Sequence, residues 1–208
     1  MNNSKLFKQG KEFEKQGDTE RAYQYYLEAV LSEDDGEAMY ALADMYYDNT
    51  PYNDDNNKAG RYYGLAFDRG VDVDSWKLII AGSYWQERAN ETGDVEDRLL
   101  AIRYYKAAAE SGTDYGYDCL AELYFELHYY EKAYECLKKP EKLEPCGMYY
   151  MGKLYEEGLG GVGKDLDKAI DYYRRVIARH APYEEEYGED THCELAKKRL
   201  QKLASSFC

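Results

Sequence analysis

The sequence has no excess of positive charge, no long apolar run, few histidines and no cysteine pair at metal or redox spacing. Each of these absences excludes something. Lys and Arg number 27 against 41 Asp and Glu in 208 residues, a formal net charge of −14. So acidic a chain repels phosphate backbones and anionic lipid surfaces, so neither nucleic acid nor membrane is expected as a partner. The densest apolar run, Leu78 to Gly82, is far short of the ~18 residues of a membrane span. Met1 to Gly10 holds no apolar signal core, and a soluble, unexported, cytoplasmic protein is expected. The five cysteines are odd in number and none are spaced CxxC. A complete intrachain disulfide set is therefore impossible, and free buried thiols in a reducing compartment are expected. Phe and Trp are scarce, at 5 and 2, whereas Tyr reaches 25. With 44% hydrophobic residues the chain can still bury a core, roughly 70% of its unfolded surface at this length.

What is present is a repeat. Ala-x-x-Tyr-Tyr occurs at Ala22/Tyr25/Tyr26, Ala59/Tyr62/Tyr63, Ala101/Tyr104/Tyr105 and Ala169/Tyr172/Tyr173, with a degenerate copy at Ala133/Cys136/Leu137. Asp18, Asp55, Asp97 and Asp165 lie four residues before four of these alanines. An Asp there suits a helix N-terminus, where its carboxylate accepts backbone N–H groups. Before each copy comes a small residue with an aromatic three later: Gly10/Phe13, Ala43/Tyr46, Ala81/Tyr84, Ala121/Tyr124 and Gly152/Tyr155. Spacings of three and four place these side chains on one helical face. Each unit therefore reads as two antiparallel helices, A and B, meeting at the small residues. The A-to-B segment varies in length, as surface loops tolerate. Gly36, Gly70 and Gly112 suit helix C-terminal stops.

Met151 to Ala169, MGKLYEEGLGGVGKDLDKA, resembles the Sel-one-like repeat, a relative of the tetratricopeptide repeat. The matching residues are Gly152, Leu154, Tyr155, Gly158, Val162, Asp165, Lys168, Ala169 and, beyond them, Tyr173. Leu99 to Gly112 is similar to the second half of that repeat. The resemblance covers about residues 4 to 181 and implies an all-α fold, a right-handed α-solenoid of antiparallel helix pairs. It has about five repeats, roughly 4–36, 37–72, 73–113, 114–145 and 146–182, in a single domain over 1–208. Thr191 and Glu194 form a capping-box pattern opening a last helix, 190–205, whose Leu195, Leu200 and Leu203 would cover the final repeat.

Several strings look chemical and are read as structural. Gly158 to Lys164 satisfies both GxGxxG and GxxxxGK, but a helix precedes it and Asp165 stands where a phosphate loop needs a hydroxyl. His192-Cys193-Glu194 with Glu184 to Glu186 is a conceivable metal set, but an exposed acidic loop before a helix start is the plainer reading. Asp48 to Asn57 lacks the Gly and bidentate Glu of a calcium loop. No nucleophile signature stands out, so no catalytic residue, cofactor or metal is expected and the protein is read as a non-enzyme.

The resemblance implies that the A helices line the concave side. The residue after each A-helix aromatic is Glu14, Tyr47, Trp85, Phe125 or Glu156, so Tyr47, Trp85 and Phe125 would form an aromatic ladder. Tyr40, Asp44, Asp118, Glu122 and Tyr149 are placed on the same face. Aromatics beside carboxylates suit a basic protein segment, through contact area and cation–π attraction. The alternative is that the three aromatics pack against the adjacent repeat. The expected function is a scaffold, adaptor or regulator binding another protein. Two other readings stand beside it: a dedicated inhibitor, chaperone or immunity-type partner of a basic protein, and a self-assembling oligomer that would expose Leu6 and Phe7.

Overall fold

The computed structural model describes residues 4–47, 55–180 and 191–205. Among them are eleven helices and no strand. The A helices are α1 (Lys5–Lys15), α3 (Gly36–Tyr47), α5 (Ser75–Thr92), α7 (Tyr115–Glu126) and α9 (Pro145–Glu157). The B helices are α2 (Thr19–Glu33), α4 (Asn56–Asp68), α6 (Val95–Glu110), α8 (Tyr130–Leu137) and α10 (Leu166–His180), and α11 (Thr191–Ser205) follows them. The chain divides into two compact units. Met1–Gly112 holds three helix pairs, and Thr113–Cys208 holds two pairs and α11. The fold is all-α, made of antiparallel helix pairs of the α-solenoid class. In the second unit α11 packs on α9 and α10, burying Cys193, Ala196 and Leu203.

One device holds the pairs together. The B-helix alanines Ala22, Ala59, Ala101, Ala133 and Ala169 are all buried. One turn on, Tyr26, Tyr63, Tyr105 and Tyr173 are buried as well. A buried phenol needs an acceptor, because an unmade hydrogen bond in the core costs about 1–3 kcal/mol. The A helix supplies it: Tyr26 Oη donates to Glu14 at 2.6 Å, Tyr63 to Asp44 at 2.8 Å, Tyr105 to Gln86 at 2.8 Å and Tyr173 to Glu156 at 2.7 Å. The ring lies where the A helix has no side chain. A Cβ on Gly10, Gly82 or Gly152 would meet Tyr26, Tyr105 or Tyr173 at 2.5–2.6 Å. The first tyrosine of the doublet stacks on the A-helix aromatic in three pairs: Phe13 on Tyr25, Tyr46 on Tyr62 and Tyr155 on Tyr172.

This contact corrects the expected alignment of α5. Tyr105 sits on Gly82, not Ala81, so Trp85 rather than Tyr84 is the packing aromatic of that helix. Neighbouring small residues left the periodicity ambiguous by one residue, which rotates a helix face by about 100°. The position equivalent to Glu14 and Glu156 is Gln86, and the run of three aromatics dissolves into Tyr47, Gln86 and Phe125.

Caps follow the expectation in three pairs. Asp18, Asp55 and Asp165 accept the backbone N–H of Arg21, Lys58 and Lys168. Asp97 does not cap. The helix α6 starts earlier, its cap is Asp94, and Asp97 is buried against Arg88 at 3.0 Å. Gly70 and Gly112 have the positive φ of helix stops, but Gly36 opens α3, and Asp34 takes the left-handed position ending α2. In the Gly158–Lys164 loop, Gly158 ends α9 at φ 70° and Gly160 passes Tyr130 too closely for a Cβ. Phe7 is buried against Tyr26, and Leu6 is half-buried.

Candidate functional site

In the first unit the predicted residues of α3 converge on one buried ring. Tyr40, Asp44 and Tyr47, spaced four and three apart, lie over Tyr63 of α4. Tyr40 and Tyr47 meet it edge-on, at 5.8 and 6.4 Å between ring centres, and Asp44 accepts its hydroxyl. From α5, Lys77 reaches into this group. Its ammonium lies 2.6 Å from Asp44, 2.8 Å from Tyr40 Oη and 4.4 Å from the centre of the Tyr40 ring. Burial alone would lower the Lys77 pKa, but the bonds to Asp44 and Tyr40 outweigh it and hold the pKa well above the usual value. Tyr47 remains 38% exposed, and Tyr40 also donates to Asp74 at 2.9 Å. Trp85 is buried in the same unit, with Tyr84 edge-on at 5.0 Å and Arg88 over its ring.

In the second unit the predicted residues go to three places. Glu156 accepts from Tyr173 and pairs with Arg199 of α11 at 3.3 Å. Phe125 packs on Tyr130 and Tyr150, at 5.1 and 5.2 Å, with the Lys153 ammonium over its ring. Asp118, Glu122 and Tyr149 join a polar cluster between α7, α9 and α11. Asp118 and Tyr149 are buried, at 1% and 6% exposure, so neither presents a side chain to a partner. Gly147 makes room for Asp118, since a Cβ there would overlap Oδ1. The other oxygen, Oδ2, accepts the backbone N–H of Glu144 at 2.9 Å. Burial pushes the Asp118 carboxyl up to about 7 despite that bond, and the charges of Glu144 and Asp114 push the same way.

Glu122, one turn beyond Asp118, meets three side chains from two helices, α9 and α11. Tyr150 Oη donates to Oε1 at 3.0 Å, Cys146 Sγ to Oε2 at 3.5 Å, and His192 Nε2 lies 3.5 Å from Oε1. Burial raises this carboxyl, but His192, Tyr150 and Cys146 together bring it below the usual range. Burial and the Glu122 charge hold the Cys146 thiol well above its ordinary value. The Tyr149 and Tyr150 rings both contact the His192 ring, at 5.6 and 5.9 Å between centres. Glu122, Cys146 and His192 each bring one ligand atom to a group spanning no more than 4.8 Å.

Sequence reasoning singled out His192 with other partners. Cys193 is buried in the core and Glu194 pairs with Lys197, while Glu184 to Glu186 lie outside the described residues, as does most of the Asp48–Asn57 segment. Cys146, Tyr150 and Lys77 were missed, because they stand in no local motif and only packing brings them to the acidic groups. Cys119, Cys136, Cys146 and Cys193 are thiols outside any disulfide.

Recurring helix pairs locked by a buried tyrosine and an A-helix acceptor define an α-helical repeat protein. The Sel1 repeat profile matches residues 5–33, 36–71, 87–113 and 147–177, more than half of the chain. The protein belongs to the Sel1 repeat family, whose repeats generally serve as protein–protein interaction modules. Among solved structures, the chain is similar to a Sel1 repeat protein from Oxalobacter formigenes, with 17% identity and a TM-score of 0.45. The match covers 95% of this chain and 86% of that one. It is also similar to a protective antigen with an SLR fold present in uropathogenic Escherichia coli strains, with 18% identity and a TM-score of 0.36. Here 89% of this chain matches 50% of that one, so the chain spans half the length of that relative. Among the described residues, no helix is long and apolar enough to cross a membrane.

Proposed function

We propose that this protein is a non-enzymatic interaction module that takes a lysine- or arginine-rich segment of another protein against the exposed side of α3. The observation that carries the reading is the Tyr40–Asp44–Tyr47 strip. Its Asp44 carboxylate and Tyr40 ring already hold one ammonium, Lys77, which also lies over the underlying Tyr63 ring. That is the chemistry a basic segment needs, with cation–π attraction worth about 0.5–1 kcal/mol at exposed sites. Tyr47, the exposed end of the strip, offers area, and Asp74 offers a second carboxylate. The net charge of −14 supports the same partner, because it speeds encounter with a cationic surface in a salt-dependent way.

Biolayer interferometry with an immobilised Lys/Arg-rich peptide and a Glu-rich control tests this at low and high salt. Binding to the basic peptide only, weakened by salt and by Tyr47→Ala or Asp44→Asn at unchanged helicity, is the expected result. Equal binding to the acidic peptide, or no loss in either variant, overturns it. Trp85 and Phe125 are left out of the test because their removal would disturb packing.

A further inference from the structure

We infer that Glu122, Cys146 and His192 form a binding site for Zn²⁺ or a similar borderline transition-metal ion, joining α11 to α7 and α9. The three side chains come from three helices, and each offers one ligand atom. Zinc binds thiolate at about 2.3 Å and imidazole or carboxylate at about 2.0–2.2 Å. In a tetrahedron those bonds put sulfur and oxygen ligands about 3.5 Å apart, and nitrogen and oxygen about 3.3 Å apart. The observed separations are 3.5 Å from Cys146 Sγ to Glu122 Oε2 and 3.5 Å from His192 Nε2 to the other oxygen, Oε1. All three ligand atoms lie within 4.8 Å of one another, so modest side-chain rotations would bring one oxygen, the sulfur and the nitrogen to three corners of a zinc tetrahedron. The mixture of sulfur, nitrogen and oxygen excludes calcium and magnesium, which take oxygen alone.

The surroundings are those of a supported site. Tyr150 donates to Glu122 and fixes the carboxylate, the kind of outer hydrogen bond that orients metal ligands. Tyr149 and Tyr150 both pack their rings on His192. Asp118 lies one turn before Glu122 on the same face of α7. Its Oδ1 is buried with no hydrogen-bond partner, a carboxylate oxygen left over beside the cluster. The side chains of Glu122 and His192 keep 26% and 17% exposure, so an ion has a route from solvent and water can complete the fourth corner. Cys146 loses its proton to solvent as the metal–sulfur bond forms, and His192 binds as the neutral ring. The competing reading is a His192–Glu122 ion pair that merely pins α11, with the Cys146 thiol as a bystander.

The test uses the full chain, reduced and stripped with a chelator. Calorimetry with Zn²⁺ should show one equivalent bound, and Co²⁺ should give a thiolate-to-metal charge-transfer band. At a hundredfold excess over Kd, Zn²⁺ should raise the melting temperature by about 5–10 °C. Cys146→Ser should abolish the cobalt band. Both Cys146→Ser and His192→Gln should weaken Zn²⁺ by more than about 100-fold, and Tyr150→Phe by about 10-fold. Cys136→Ser should change nothing. A wild-type cobalt spectrum without a thiolate band, or Zn²⁺ binding retained in Cys146→Ser and His192→Gln, overturns the site. The wild-type cobalt spectrum does not depend on whether any variant folds.

Discussion

Two helix pairs of the second unit are built on different rules. In α9/α10, the buried Tyr173 hangs its hydroxyl on Glu156, and its ring fills the space left by Gly152. In α7/α8, Leu137 takes the place of that tyrosine and is just as buried, but it has nothing to donate. The position equivalent to Glu156 is accordingly Phe125, which packs on Tyr130 and Tyr150. The α8 helix has eight residues against fifteen for α10, and no side chain caps it. The Sel1 profile matches α9 and α10 and leaves α7 and α8 outside its matched segments. The lesson is that a hydroxyl in the core commits its neighbour. Once the hydroxyl is gone, the A helix is released from supplying an acceptor, and α7 turns Asp118 and Glu122 toward α9 and α11 instead.

The comparison can be broken in four ways. The largest effect should come from Tyr173→Ala, which removes a fully buried ring and takes from Glu156 its hydroxyl donor, leaving Arg199. A loss of about 3–5 kcal/mol is expected in urea denaturation, with Leu137→Ala costing less because no hydrogen bond goes with it. Next is the pH dependence that Asp118 imposes on α7/α8. Its carboxyl titrates near 7 in the folded chain, against about 3.9 in an unfolded one. The folded state therefore holds the extra proton between those values, and stability falls as pH rises through them. At about 1.4 kcal/mol per pH unit the total is roughly 4 kcal/mol. Asp118→Asn should flatten that slope when measured with chelator present, and an unchanged slope would assign it to other groups.

Converting one pair into the other is the sharper test. Phe125→Glu places a carboxylate at the position equivalent to Glu156 with no hydroxyl at residue 137 to donate to it, and even with the Lys153 ammonium nearby should cost about 2 kcal/mol. Adding Leu137→Tyr should return at least about 1 kcal/mol of that. A double variant no better than the single one would show that the hydroxyl–acceptor pair is not transferable. The smallest effect is at the uncapped start of α8. Tyr129→Asp should stabilise by about 0.5–1 kcal/mol, and Asp165→Ala at the start of α10 should cost about as much. Thermal melts of the two single variants measure both.

The sequence by itself determined the helix pairs, their number and most of their caps. These depend on interactions within a few residues: the Ala-x-x-Tyr-Tyr spacing sets a buried face, and Asp18, Asp55 and Asp165 reach N–H groups three residues on. Tertiary structure decided what depends on a neighbour. In α5 the adjacent Ala81 and Gly82 served the periodicity equally well, and only the seat of Tyr105 chose between them, turning Trp85 inward. Asp97 has the spacing of a cap and is instead a buried partner of Arg88, because α6 begins a turn early. The Lys77 seat on Tyr40 and Asp44 joins α3 to α5, and the Glu122–Cys146–His192 group joins three helices distant in sequence. No local spacing encodes such meetings, because the packing angle and register between helices are set by the summed contacts of whole faces rather than by any residue in the motif.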